Sequence, residues 1–180
     1  MNKLPNNFEF HKYGLDVRLV CEADTDFIVG LRTDPIKSRF IHKTEDDVKK
    51  HLEWFKEYKK RELDGRDYYF IYFKEGKPIG VNRIYNVFEY YGTPGSWICC
   101  SGLDMETVMA TSFCLKEIVF NIIGLDLLIL DVRKGNKKVQ RMHKLFGAQQ
   151  IGESDIDYYY AVNKKDYFEN LDRFLNSLNY

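Results

Sequence analysis

The chain is poor in the features that would take it out of the ordinary globular class. Cysteine is scarce. Cys21, Cys99, Cys100 and Cys114 form no Cys-x-x-Cys pair and have no histidine at zinc spacing, so no metal site is expected. Cys99 and Cys100 are adjacent and on a strand would point to opposite faces; free thiols in a reducing compartment follow. Neither sign of charge prevails, with 27 basic against 27 acidic residues. A nucleic-acid binder normally carries a basic excess, so no nucleic acid is expected as partner. Long apolar runs are missing: Ile122 to Leu130 is broken by Gly124 and Asp126 and is too short to span a bilayer, so no membrane contact is expected. Met1 to Phe10 is polar and lacks the apolar stretch of a signal peptide, which points to a cytoplasmic location. There is no repeat, low-complexity tract or linker. The 180 residues, 44% of them hydrophobic, suit one domain over residues 1–180 with a single core.

What the chain does have is an ordered succession of strand and helix patterns. Gly14 to Cys21 alternates, with Leu15, Val17 and Leu19 on one face. Asp24 is the expected cap of a short helix through Leu31, ended by Asp34-Pro35. Thr44 to Asp47 reads as the acidic start of a second helix, with Val48, Leu52 and Phe55 on its inner face and Asp64-Gly65 at its end. Tyr68 to Phe73 and Ile79 to Val87, separated by Glu75-Gly76-Lys77-Pro78, predict an antiparallel hairpin. Gly92 to Gly95 predicts a turn, and Ser96 to Cys100 a further strand. Asp104 caps a long, well-buried helix to about Asn121. Asp126 to Val132 reads as a buried strand. Asn136 to Phe146 reads as an amphipathic helix closed by Gly147. Tyr158 to Val162 is a last strand. Phe168, Leu171, Phe174, Leu175 and Leu178 line one face of a terminal helix over 165–178, a candidate dimer face if it does not pack on its own core. The fold class is α/β: a mixed central sheet flanked by helices, with a right-handed crossover from Ser96 to Val132.

That order, and the run Asp131-Val132-Arg133-Lys134-Gly135-Asn136 through Gly147-Ala148, resembles the GNAT superfamily of acyl-CoA N-acyltransferases. In that family a buried strand ends just before an Asn. A small residue follows three positions on, a Tyr seven positions on, and then a closing Gly-Phe. Here those positions hold Asn136, Val139, His143 and Gly147-Ala148. Leu31-Arg32-Thr33-Asp34-Pro35 resembles the branch that acetylates ribosomal-protein N-termini and aminosugars. The likeness covers Leu15 to Val162. One motif departs: in the (Arg/Gln)-x-x-Gly-x-(Gly/Ala) pyrophosphate loop this chain has Met105, Val108 and Ala110, of which only Ala110 conforms, and Asp104 and Glu106 add negative charge.

The resemblance implies an N-acetyltransferase that moves acetyl from acetyl-CoA to a primary amine, with no metal. It implies a pantetheine arm paired with backbone groups near Ile98, Cys99 and Cys100, a pyrophosphate near Thr107 and Ala110, and Asn136 at the cofactor or as a helix cap. His143 is the candidate general acid, since an imidazole titrates near neutrality. Residues Ser96 to Cys100 offer no carboxylate, which leaves the base to water or to a group such as Glu89. Arg133, Lys134, Lys137, Lys138 and Arg141 are either a solvated helix face or an attraction for the 3′-phosphate. Tyr158, Tyr159 and Tyr160 are packing residues or a reserve acid. The acceptor is expected to be a small-molecule amine, an aminosugar or a protein N-terminus; the balanced charge argues against a polyamine. The alternative is a catalytically impaired binding or assembly module whose altered loop no longer takes CoA.

Overall fold

The computed structural model describes residues 1–41 and 48–178. The expected helix start at Thr44 to Asp47 lies outside them. The described residues form one eight-stranded sheet. A hairpin comes first, β1 (Glu9–Lys12) and β2 (Leu15–Leu19), then helices α1 (Thr25–Thr33) and α2 (Val48–Leu63). A meander follows: β3 (Asp67–Lys74), β4 (Lys77–Tyr85) and β5 (Tyr91–Cys99). Helix α3 (Met105–Glu117) runs on as a π-helical segment, Ile118–Ile123, and leads to β6 (Leu127–Arg133). Then come α4 (Lys137–Leu145), β7 (Gln149–Glu153), β8 (Asp157–Asn163) and α5 (Lys164–Leu178). The strand order is β1-β2-β3-β4-β5-β6-β8-β7. Only β5 and β6 pair in parallel, as the expected crossover requires. No described helix is long and apolar enough to cross a membrane.

Each face of the sheet has its own core. Strand alternation sends Leu15, Val17, Phe70, Tyr72, Ile84, Leu128 and Leu130 to one side, where α3 and α5 cover them. Tyr69, Ile71, Val81 and Ile98 face the other side, under α1 and α2. Tyr58 ties α2 to the sheet. Its hydroxyl donates to Glu62 and accepts the Tyr69 N–H at 2.9 Å, so a fully buried phenol is satisfied twice. In α5, Tyr167 and Leu171 are buried and Phe168, Phe174 and Leu175 pack on the same core.

Three expectations are corrected. Gly92 to Gly95 is not a turn: β5 runs through it from Tyr91. Its glycine answers to packing, since a Cβ on Gly95 would stand 2.8 Å from the Tyr85 ring. Asp24 does not cap α1 through its side chain. Its carboxylate instead receives the Arg18 guanidinium at 2.7 and 2.8 Å and the Cys21 N–H at 2.8 Å. Burial opposes that charge, but these donors outweigh it and hold the carboxyl below its ordinary range. Strands β1 and β7 were not expected. Both are edges with mostly exposed side chains, so they carry no inward apolar alternation.

The β4–β5 seam is irregular where it matters. Val81 pairs with Ile98 and Arg83 with Gly95, so Ser96 and Trp97 together face Asn82. This is a bulge, with Ser96 at φ 51°. Below it the strands approach closely at Gly80, where a Cβ would lie 2.8 Å from the Ile98 carbonyl oxygen. Gly80→Ala should therefore cost about 1–3 kcal/mol in chemical denaturation. Gly30→Ala, in α1 with nothing within 4 Å of the new methyl, should stabilise by about 0.5–1 kcal/mol.

Candidate active site

Strands β5 and β6 pair only at Tyr91–Leu127 and Gly92–Leu128, and beyond those residues no pairing joins them. The gap opens into a cavity of about 440 Å³. The bulge residues Ser96 and Trp97 form one wall, and Leu130 to Arg133 of β6 the other. Ser112, Leu115 and Lys116 of α3 line it from behind, with Val139 and His143 of α4. Arg32, Lys37 and Phe40 reach it from the α1 side, beside Arg83 and Tyr85 of β4.

The backbone at the gap is oriented by register. The Cys100 N–H donates to the Ile79 carbonyl at 2.7 Å, and Gly80 pairs with Cys99. Antiparallel alternation then turns Ile98 and Cys100 toward β4 and the Cys99 amide toward the gap. Of the three residues singled out for backbone contacts, Cys99 alone turns its main chain away from β4, and none of the three lines the cavity. Its thiol is inert, pushed up to about 11 by burial.

At the start of α3, Asp104 is the helix cap. It accepts the Thr107 N–H at 2.7 Å and the Thr107 hydroxyl at 2.9 Å. Both Thr107 donors are thus engaged within the protein, and Ala110 is buried. Lys74, from the β3–β4 hairpin, donates to the Thr107 hydroxyl at 2.7 Å and stands 3.6 Å from Asp104. This lysine offsets the acidic cap, and its sequence position gives no hint of it. Asn136 caps α4, its side-chain oxygen accepting the Val139 N–H at 3.4 Å, and it also lines the cavity.

The proposed acid, His143, does face the cavity, but not as an imidazolium. Burial, with Lys116 opposing a second positive charge, holds its pKa well below the ordinary value. Lys116 itself is buried, with its ammonium 2.6 Å from the Ser112 hydroxyl and 5.5 Å from the centre of the Tyr167 ring. Desolvation pushes it down to about 7.

Other expected residues lie elsewhere. Glu89 is exposed in the β4–β5 turn and does not line the cavity. Tyr158, Tyr159 and Tyr160 do not line it either; Tyr160 is core, and Tyr158 packs under Lys134 and Lys137. In the basic cluster, Arg133 pairs with Asp157 at 2.8 Å and Lys134 with Glu153 at 3.3 Å. Lys137, Lys138 and Arg141 stay on the exposed face of α4. Sequence reading missed the one carboxylate among the described lining residues, Asp131. It is exposed and sits beside Tyr85, whose phenol is pushed up first by burial and then by Asp131. Alternation with the buried Leu130 and Val132 was the signal that turns it to the other face.

Five basic side chains share the cavity with Asp131: Arg32, Lys37, Arg83 and Arg133, with Lys116 at the back. Arg83 is held on Asp67, with Nε 2.7 Å from Oδ1, and its guanidinium lies 5.1 Å from the centres of both the Trp54 and Tyr85 rings. Asp67 and Asp157, which anchor Arg83 and Arg133, lie outside the lining, so the cavity itself presents mainly positive charge.

Lys116 gives the site a measurable signature. Its folded pKa is below its unfolded value, so between about pH 7 and pH 10 the unfolded chain binds the extra proton, and stability rises with pH through that window. Lys116→Met should raise the melting temperature at pH 7 and flatten that rise in thermal scans taken across the window.

No protein-family model matches the sequence, and no curated protein matches it. Among solved structures, the apo form of FdhC, a nucleotide-linked sugar GNAT, is 33% identical over 94% of this chain and 97% of its own, with a TM-score of 0.83. Spermidine N-acetyltransferase from Vibrio cholerae, in complex with CoA and spermine, has a TM-score of 0.74 at 16% identity, over 87% of this chain and 99% of its own. Mycobacterium smegmatis RimJ, in complex with CoA-disulfide, has a TM-score of 0.68 at 16% identity, over 84% of this chain and 83% of its own. The last two share the fold; the first, at its identity and coverage, shares the family. The chain is a member of the GNAT superfamily, an acyltransferase that works with an acyl-CoA co-substrate.

Proposed function

We propose that the chain transfers an acetyl group from acetyl-CoA to the amine of an anionic small molecule, an aminosugar linked to a nucleotide. The observation that carries this is the charge of the cavity, five basic side chains around a single carboxylate among the described lining residues. Guanidinium groups suit diphosphate oxygens, and Asp131 suits an ammonium. The same balance weighs against a polyamine, which would meet like charge. The 33% identical FdhC, described as a nucleotide-linked sugar GNAT, supports the same class.

In this reading the acyl chain lies in the gap, where the Cys99 N–H is the donor for the oxyanion and Ile98 and Cys100 hold the strand that carries it. The pyrophosphate meets the main-chain N–H groups that open α3, since Thr107 already has its donors on Asp104 and Ala110 is buried, with Lys74 replacing the cation that the altered loop lacks. Asn136 keeps the β6–α4 turn in place against the co-substrate. Asp131 binds the acceptor amine and takes its proton, a role that Glu89 is too distant from the cavity to fill. His143, kept neutral by burial, hydrogen-bonds the leaving sulfur.

Two measurements test this. Nucleoside-diphosphate-linked aminosugars, spermidine and a peptide with a free N-terminus are offered with acetyl-CoA, and free thiol is followed. The sugar nucleotides should react, with a KM that rises with ionic strength; turnover of spermidine or the peptide alone would overturn the assignment. Asp131→Asn should lower kcat about 100-fold while acetyl-CoA binding by calorimetry stays unchanged. Lys74→Ala should weaken acetyl-CoA binding by about tenfold, the loss of one charge-assisted contact.

A further inference from the structure

Lys116 is the outlier of the cavity. It is 3% exposed and projects from the last turn of α3, and among the described residues its hydrogen bonds go to the hydroxyl and carbonyl of Ser112. The neighbouring carboxylate, Glu117, is engaged with Lys12, Tyr13 and Asn121. The other groups facing Lys116 are the Tyr167 ring from α5 and His143 from α4, with Asp131 and Arg133 of β6 lining the same cavity. A buried cation without a carboxylate is a burden on folding. A methionine there would pack better and keep no proton. The position therefore serves the cavity, which Ser112, Lys116 and His143 all line.

We propose that Lys116 is the proton source for the departing thiolate, with the neutral imidazole of His143 as the relay. The proposal rests on the acetyl-transfer reading above. The acceptor nitrogen attacks the thioester carbon and gives its proton to Asp131. The tetrahedral intermediate collapses, its C–S bond breaks and the carbonyl re-forms. The sulfur takes the N–H proton of His143 as the other ring nitrogen takes one, through a bridging water in the cavity, from the Lys116 ammonium. Lys116 is left neutral and Asp131 protonated; once products leave, solvent returns one proton from Asp131 to Lys116. No oxidant or metal enters the balance. An imidazole that burial keeps neutral has no net proton to give, and a lysine pushed down to about 7 releases one readily at physiological pH. Because the protonated lysine is the active form, kcat should fall as pH rises through the titration of Lys116.

The test compares wild type, Lys116→Met and Lys116→Arg, with acetyl-CoA and a nucleoside-diphosphate-linked aminosugar. Both variants should bind acetyl-CoA within about threefold of wild type and lose about 100-fold in kcat, and neither should keep the alkaline fall. Arginine retains the charge but cannot release its proton. If Lys116→Met keeps its kcat, or keeps the alkaline fall, the proposal is wrong. If Lys116→Arg restores the rate, only a fixed charge was needed, and the proposal is again wrong. Failure of wild type to bind acetyl-CoA would sink the acetyl-transfer reading itself; turnover by wild type and variant alike would sink the role of Lys116 alone.

Discussion

Two residue pairs, Tyr91–Leu127 and Gly92–Leu128, hold the halves of the sheet together, and the site exists because the pairing stops there. A parallel ladder continued along β5 and β6 would close the cavity. The bulge at Ser96 and Trp97 lies beside that opening and adds local bend and twist to β5. Around the opening, α3, α4 and the segment after α1 each contribute a wall, so residues distant in sequence meet at one point. The close approach at Gly80 fixes the end of β5 against β4.

The charges around the opening are arranged by depth. Toward β4 and the end of α1, guanidinium and ammonium groups are anchored by carboxylates that turn away from the cavity. Asp67 serves both Arg61 and Arg83, and Asp34 holds Lys37 at 2.9 Å. At the back, Lys116 has no such anchor among the described residues, and burial holds the pKa of His143 well below its ordinary value. One carboxylate, Asp131, lines the same cavity. Groups whose environments push their proton affinities apart in this way are suited to dividing acid and base work.

Much of the fold was legible in the sequence because it rests on local signals. Asp104 and Asn136 cap their helices as their positions suggest, and Gly147 takes the left-handed conformation, φ 85°, that ends α4. What was hidden depends on contacts between distant segments. Gly95 looks like a turn residue because nothing nearby in sequence announces the Tyr85 ring against it. Strands β1 and β7, exposed at the sheet edges, leave no apolar alternation. At the site, the family pattern pointed to His143, which lines the cavity, while the burial that lowers its pKa cannot be read from one amphipathic helix. Lys116 was hidden within a buried helix whose pattern looked structural. Lys74 and Asp131 become meaningful only once the hairpin reaches α3 and β6 parts from β5.

The two-pair seam has a consequence for how the molecule opens. Strands β1 to β5 form one run of neighbouring antiparallel partners, whereas β6, β8 and β7 are joined to it through that seam and the helices behind it. Such a boundary divides a sheet into units that can open separately. A ligand lying along the gap would act as a splint, lending the sheet the rungs that its own chain omits. Amide hydrogen exchange would register this as protection spreading into β6 and β8, strands on the far side of the splint, while the meander from β1 to β4 changes little.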